Sequence, residues 1–192
     1  MKIKFSLKNH IAHRIYIYLI ILVALPIIIS SVILLKTNPK STEKYSLFVG
    51  AYLKPESTLK AKVSDYLKEY DDKEINIFAM DYYDDNFNLH YAAQGTKSDA
   101  YILPLKAMEE MDKSVLAVLE ESNEFYNASN YIDKEGRHYG IEITNQFTDD
   151  IRYKEEKYYV CIRKESVHSL KFNDSSKTDQ TYALLKGMFN EE

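Results

Sequence analysis

The sequence predicts an α/β fold, in which one folded domain with a mainly parallel sheet follows a single N-terminal transmembrane helix. Three observations predict it. Residues 15–35 are mostly apolar and carry no charge. Beyond them, apolar positions switch repeatedly between the period of a strand and the period of a helix. The resulting order is strand, helix, strand, helix, strand, helix, which is typical of a parallel sheet covered by helices on both faces.

The uncharged segment 15–35 is long enough to cross a bilayer as a helix, since such a helix spans about 30 Å. A cleaved signal peptide is the alternative, but no small-residue cleavage site follows the segment. Four basic residues and no acid lie in 1–14. This flank is therefore expected in the cytoplasm, with 36–44 as a linker and 45–192 as an extracellular domain of a single-pass cell-membrane protein.

Charge and cysteine content exclude several classes of protein. Four of the 25 basic residues and none of the 29 acidic residues precede position 36, so the remainder has a net charge of −8. An acidic domain without a basic tract is not expected to bind nucleic acid. The single cysteine, Cys161, excludes an internal disulfide and a multi-cysteine metal site.

The first half of the domain provides two strands and a helix. Residues 45–53 and 74–80 have the composition of strands. Pro55 is expected to open the helix between them, because proline is tolerated at the first helical position. Its apolar stripe follows at helical spacing and consists of Leu59, Val63, Leu67 and Tyr70.

A second helix is predicted over 84–95, with Gly95 as the left-handed residue that often ends a helix. Residues 99–104 form the third predicted strand, and a helix over 105–111 follows at once. Pro104 then lies at the carboxyl edge of the sheet. In open parallel sheets ligands bind at that edge.

The second half is predicted to contain a hairpin, a strand and a closing helix. The hairpin covers 131–143, with Gly136 at the turn position that needs positive φ. The strand covers 158–166. The helix covers 175–189, capped by Asp179 or Thr178. The predicted core consists of Phe48, Val49, Leu59, Val63, Leu67, Ile75, Ile77, Ile102, Leu103, Val160, Ile162 and Leu185.

The order of these elements resembles the extracellular solute-binding proteins of ABC importers, in particular the carbohydrate-binding group. The resemblance is carried by SDAYILPLKAMEEM, a strand with a helix at the cleft edge, by SVLAVLEE after it, and by the hairpin YIDKEGRHYGIEI. The segments YYVCIRKESVHSL and TYALLKGMF resemble the returning strand and closing helix of the first lobe. The resemblance implies a single-lobe periplasmic-binding-protein-like domain over about 45–189.

The chain departs from that pattern in two ways. Only residues 144–155 separate the hairpin from the returning strand, so the second lobe is missing, and a membrane helix replaces the usual lipid anchor. The resemblance therefore implies an accessory or interaction subunit of an ABC (carbohydrate) transport system, with permease subunits as partners. The alternative is a reduced receptor lobe that itself binds a sugar or peptide.

The candidate binding residues are Tyr52, Asp81, Tyr82 and Tyr83, because they lie where the first two strands end, at the predicted ligand edge. Tyrosine rings can stack on a sugar or anchor a protein partner, and carboxylates can accept its hydrogen bonds.

The sequence contains no GxSxG, HExxH, P-loop or GxGxxG motif and no calcium-loop spacing. His10 and His13 belong to the predicted cytoplasmic flank, and the other three histidines lie at no metal-ligand spacing. We therefore expect no enzyme, no cofactor and no metal. A solvated acidic face is the interpretation of five glutamates, Glu109, Glu110, Glu120, Glu121 and Glu124.

Overall fold

The computed structural model describes residue 18 and residues 22–27, 44–70, 74–126, 128, 130–143, 147–154, 157–169 and 179–189. The chain divides into two compact units, 1–39 and 40–192. In the first unit, Tyr18 and residues 22–27 are helical. Among the residues described, none of the helices has the length and apolar character needed to span a bilayer. Most of 15–35 lies outside the described residues, so the anchor stays a prediction.

The second unit is a mixed α/β domain. Its strands are β1 (Lys44–Val49), β2 (Glu74–Ala79), β3 (Ala100–Pro104), β4 (Asn130–Ile132), β5 (His138–Glu142) and β6 (Tyr158–Ile162). Its helices are α1 (Leu59–Tyr66), α2 (Phe87–Ala93), α3 (Leu105–Glu110) and α4 (Gln180–Phe189). Short 3₁₀ turns cover Gly95–Lys97 and Lys113–Val115.

The six strands form one sheet in the order β2-β1-β3-β6-β5-β4. β1 pairs in parallel with β2 and with β3. The remaining pairs, β3 with β6, β6 with β5 and β5 with β4, are antiparallel. The prediction of a mainly parallel sheet is therefore wrong: the sheet is mostly antiparallel, because β6 and the hairpin join the parallel half directly.

Helices cover both faces of this sheet. Alternate residues of the central strands point to opposite faces, as the period of a strand requires. Leu47 and Ile102 belong to the core cluster that includes residues of α1 and α4. Phe48 and Leu103 belong to a second cluster that includes residues of α2 and α3. The predicted core is confirmed except for Ile77, which is only partly buried because β2 is an edge strand.

Several element boundaries differ from the predictions. α1 begins at Leu59 rather than at Pro55, which lies in a turn. Gly95 opens a 3₁₀ turn and is not left-handed; a Cβ atom there would lie 2.4 Å from Cδ2 of Tyr91. Gly136 has φ of 79°, which confirms the predicted hairpin turn. Asp179 Oδ1 accepts a hydrogen bond from Tyr182 N at 3.0 Å, which confirms one of the two predicted caps. Thr178 lies outside the described residues.

A buried carboxylate, Asp150, ties α1 to the carboxyl edge of the sheet. Its Oδ1 accepts hydrogen bonds from the N–H of Thr58 at 2.5 Å and the hydroxyl of Ser57 at 3.1 Å. Its Oδ2 lies 3.0 Å from Lys62 Nζ. The backbone beside it bonds to the segment after β1, through Lys54 N and the carbonyl of Asp150 at 2.8 Å. Asp150 is distant in sequence from α1, and its hydrogen bonds fix the start of that helix.

Candidate functional site

The carboxyl ends of β1, β2 and β3 meet at one edge of the sheet because these strands are parallel. Backbone hydrogen bonds tie the segments that follow them: Gly50 N donates to Ile102 O at 2.7 Å, and Tyr82 N donates to Gly50 O at 3.2 Å. β6 runs antiparallel to β3, so the residues before Tyr158 reach the same edge. We call this the carboxyl edge.

The structure places all four predicted site residues at the carboxyl edge. The rings of Tyr82 and Tyr83 meet edge to face at a centroid distance of 5.2 Å. Tyr83 N donates to Asp81 Oδ1 at 2.9 Å. Tyr52 joins this group through Asp84, whose carboxylate accepts its hydroxyl hydrogen bond. Tyr52 and Tyr83 are exposed, whereas Asp81 is buried.

Asp81 has a structural role that the sequence does not indicate. Its Oδ2 lies 2.6 Å from Nζ of Lys154, which comes from the segment before β6. The same ammonium group lies 5.9 Å from the centroid of the Tyr83 ring. Asp81 therefore anchors the loop after β2 to the segment before β6, and it does not line the cleft described next.

A cleft of about 550 Å³ opens beside this loop, between α2 and α3. Leu103 and Ala107 contribute apolar surface to it. Its aromatic lining consists of Tyr82, Tyr83, Phe87 and Tyr91. Their rings pack on one another, with Tyr82 edge to face on Phe87 at 5.1 Å and Phe87 stacked on Tyr91 at 6.1 Å. The rings support one another and so form a preformed aromatic wall.

Three carboxylates line the same cleft, namely Asp84, Glu110 and Asp112. Each accepts hydrogen bonds from neutral groups. The donors are the hydroxyl of Tyr52 for Asp84, the hydroxyl of Tyr82 for Glu110, and Ser114 N at 2.9 Å for Asp112. The hydrogen bond from Tyr52 lowers the pKa of Asp84, and the backbone hydrogen bond from Ser114 lowers the pKa of Asp112. Both carboxylates therefore stay ionised at neutral pH.

Lys106 contributes an ammonium group to the lining, 5.4 Å from the centroid of the Tyr83 ring. The Tyr83 ring therefore has two ammonium groups near it, from Lys106 and Lys154. Both distances are within the range of a cation–π contact.

A serine, a histidine and an aspartate are also close together at the opposite edge of the sheet. Ser166 Oγ donates to Asp99 Oδ1 at 2.6 Å, and His168 Nε2 bonds the carbonyl of Lys44 at 2.8 Å. Burial raises the pKa of Asp99. The serine hydroxyl donates to the carboxylate and the imidazole ring bonds backbone, so these contacts tie the turn after β6 to β1 and do not activate a nucleophile.

The other reactive side chain, Cys161, is fully enclosed. Its Sγ lies 3.2 Å from Sδ of Met108 in the core beneath α3. Burial raises the pKa of this thiol, which removes the thiolate that reactivity needs. No group of three or more metal-ligating side chains occurs in the part of the chain that the structure describes.

Of the described residues that line the cleft, two are among the predicted site residues, Tyr82 and Tyr83. The stretch SDAYILPLKAMEEM indicates a strand and helix meeting at the ligand edge, and it contains Lys106 and Glu110. Glu110 is exposed, as its interpretation as part of a solvated acidic face predicts, but its hydrogen bond with Tyr82 is a long-range contact that the sequence does not indicate. Asp84 belongs to the acidic and aromatic run DYYDDN, which indicates a polar site but not which carboxylate faces it.

No family model, curated protein or solved structure matches this chain. The resemblance to solute-binding proteins therefore stays a prediction from the sequence.

Proposed function

We propose that the chain is a membrane-tethered extracellular binding module that acts as an accessory or interaction subunit of an ABC transport system. The observation that carries the proposal is the aromatic and acidic cleft at the carboxyl edge. A preformed concave surface with rigid rings and a few charged groups is suited to recognition. The anchor predicted over 15–35 would hold this surface close to a membrane partner.

The surroundings of the cleft favour a protein as its partner. Large apolar side chains that line it are exposed on the loop after β2 and on the turn after α3: Tyr83 is 48% exposed and Val115 38%. Tyrosine is a common anchor at protein interfaces, because its ring buries a large area at low entropic cost. A protein surface can cover these residues together, whereas a monosaccharide cannot.

The second candidate function is capture of a sugar or peptide by the reduced receptor lobe itself. The volume of the cleft favours it, since about 550 Å³ lies within the range of small-molecule sites. The cleft is nevertheless open to water in this one-lobed domain. Hydrogen bonds to a free sugar would compete with water there, so we expect affinities no tighter than about millimolar.

Replacing Tyr82 and Tyr83 together by alanine is expected to abolish most co-purification with a membrane partner, because the variant loses the exposed ring and the wall beside it. The measurement is quantitative pull-down of the tagged full-length chain from solubilised membranes, with partners identified by mass spectrometry. Loss of two interface anchors should reduce recovery at least about tenfold. Calorimetry of the same protein with a panel of sugars tests the second candidate function, because it measures the affinity for each sugar.

The matched control replaces Ile132 and Val167 by alanine, since both are exposed and lie outside the cleft. This control should keep the partner. Circular dichroism checks that both double variants are folded. Micromolar binding of a sugar that the tyrosine variant loses would support the receptor function instead. Unchanged recovery by the tyrosine variant would reject the cleft as the binding surface.

A further inference from the structure

We infer that the cleft between α2 and α3 receives a basic side chain of the protein partner, and in particular an arginine. This inference rests on the proposed function and deepens it, because it names the chemistry that the partner presents. The reasons are the charge of the lining, the geometry of its rings and the size of the exposed surface around it.

The lining has more negative than positive charge. Three carboxylates, Asp84, Glu110 and Asp112, and one ammonium group, that of Lys106, line it among the described residues. Each carboxylate accepts from hydroxyl or backbone donors. Within the described part of the chain, no ion pair reaches any of the three. Their hydrogen bonds position the carboxylates without neutralising them, so the described lining attracts a cation.

The aromatic wall supports the same conclusion. A guanidinium group stacks on aromatic rings and also forms bidentate hydrogen bonds with carboxylates. The hydroxyl of Tyr82 bonds Glu110, so ring and carboxylate are adjacent. The ammonium groups of Lys106 and Lys154 lie within 6 Å of the Tyr83 ring, inside the range of a cation–π contact.

The exposed surface around the cleft indicates that the cation belongs to a protein and not to a small molecule. Tyr83 and Val115 line the cleft and are exposed, on the loop after β2 and on the turn after α3. A partner that inserts an arginine would cover these apolar side chains at the same time. The net charge of −8 on residues 36–192 would also attract a basic partner surface.

The inference is tested with the full-length chain in detergent micelles and two peptides. One is acetyl-Gly-Ala-Arg-Ala-Gly-amide; the other has citrulline, the neutral isostere, in place of arginine. Saturation-transfer NMR should detect the arginine peptide at about millimolar affinity and the citrulline peptide at least about tenfold more weakly. Adding about 0.5 M salt should weaken binding of the arginine peptide alone.

The matched pair of variants is Glu110→Gln and Glu109→Gln. Both residues are exposed on α3 and both changes remove one charge, but Glu109 does not line the cleft. Glu110→Gln should weaken the arginine peptide about threefold to tenfold, whereas Glu109→Gln should change its affinity less than twofold. Equal effects of the two variants would overturn the placement of the cation in the cleft.

The remaining outcomes separate this inference from the proposed function. Equal binding of the two peptides would overturn the arginine inference. The inference would also fail if acetyl-argininamide bound as tightly as the arginine peptide, because that result would indicate a small-molecule ligand. If neither peptide binds while the tyrosine double variant still loses its partner, the arginine inference alone fails. If neither peptide binds and that variant keeps its partner, both proposals fail.

Discussion

Replacing Ile102 by aspartate is expected to unfold the domain. Ile102 lies in the middle of β3, has no exposed surface, and belongs to the core cluster that includes residues of α1 and α4. An aspartate there would bury an unpaired charge and remove an apolar side chain. The expected loss is several kcal/mol, comparable with the total stability of a typical domain, about 5–15 kcal/mol. Thermal unfolding of the full-length chain, followed by near-ultraviolet circular dichroism of its tyrosines, measures it.

Ile77→Asp is the matched control, because it makes the same chemical change on an edge strand. Ile77 is only partly buried, so its aspartate can turn towards water. We expect this variant to fold and to lose about 1–2 kcal/mol. A cooperative transition for Ile102→Asp at the temperature of the unchanged protein would contradict the central position of β3.

Asp150→Ala is expected to destabilise the domain by about 2–4 kcal/mol. The change removes the acceptor of the hydrogen bonds from Thr58 and Ser57 and leaves Lys62 without its carboxylate contact at 3.0 Å. The start of α1 would then lose its only described side-chain acceptor outside its own segment. Chemical denaturation of the full-length chain, with Asp149→Ala as control, measures the loss. Asp149 is exposed, so its replacement should change the free energy of unfolding by less than about 0.5 kcal/mol.

The effect of Asp150→Ala should depend on pH. Burial acts to raise the pKa of Asp150, but hydrogen bonds from Lys62, Thr58 and Ser57 outweigh it, and the pKa is lowered. A lowered folded-state pKa contributes stability above the unfolded-state value of about 3.9, and this contribution is lost as the pH falls through the folded-state pKa. The difference between the two proteins should therefore be constant near pH 7 and shrink below about pH 4. A difference that grows in acid would contradict the assigned role of Asp150.

The strands and most of the core could be predicted from the sequence, because strands buried on both faces have short, mostly apolar sequences. β1, β2, β3 and the hairpin lie within or close to the segments predicted for them. The direction of pairing could not be predicted. β6 lies antiparallel to β3, with Ile102 opposite Val160, and nothing in a strand's own sequence specifies its neighbour. The prediction of a mainly parallel sheet failed for that reason.

The candidate site was predictable where it depends on strand ends and not where it depends on long-range contacts. Tyr52, Tyr82 and Tyr83 follow directly from the parallel arrangement of β1 and β2. Asp81 follows from it too, but its burial depends on Lys154, which is distant in sequence. Glu110 likewise enters the site through a hydroxyl of a different loop. Sequence spacing carries no information about such pairs.

Site-specific photocrosslinking in intact cells tests most directly the central claim that the carboxyl edge is the binding surface. A photoreactive phenylalanine analogue replaces Tyr83 in one variant and Val167 in the other, since both side chains are exposed and Val167 follows β6 at the opposite edge. We predict a crosslink from position 83 to a membrane protein identified by mass spectrometry, and none to that protein from position 167. The same crosslink from position 167, or none from position 83, would contradict the account.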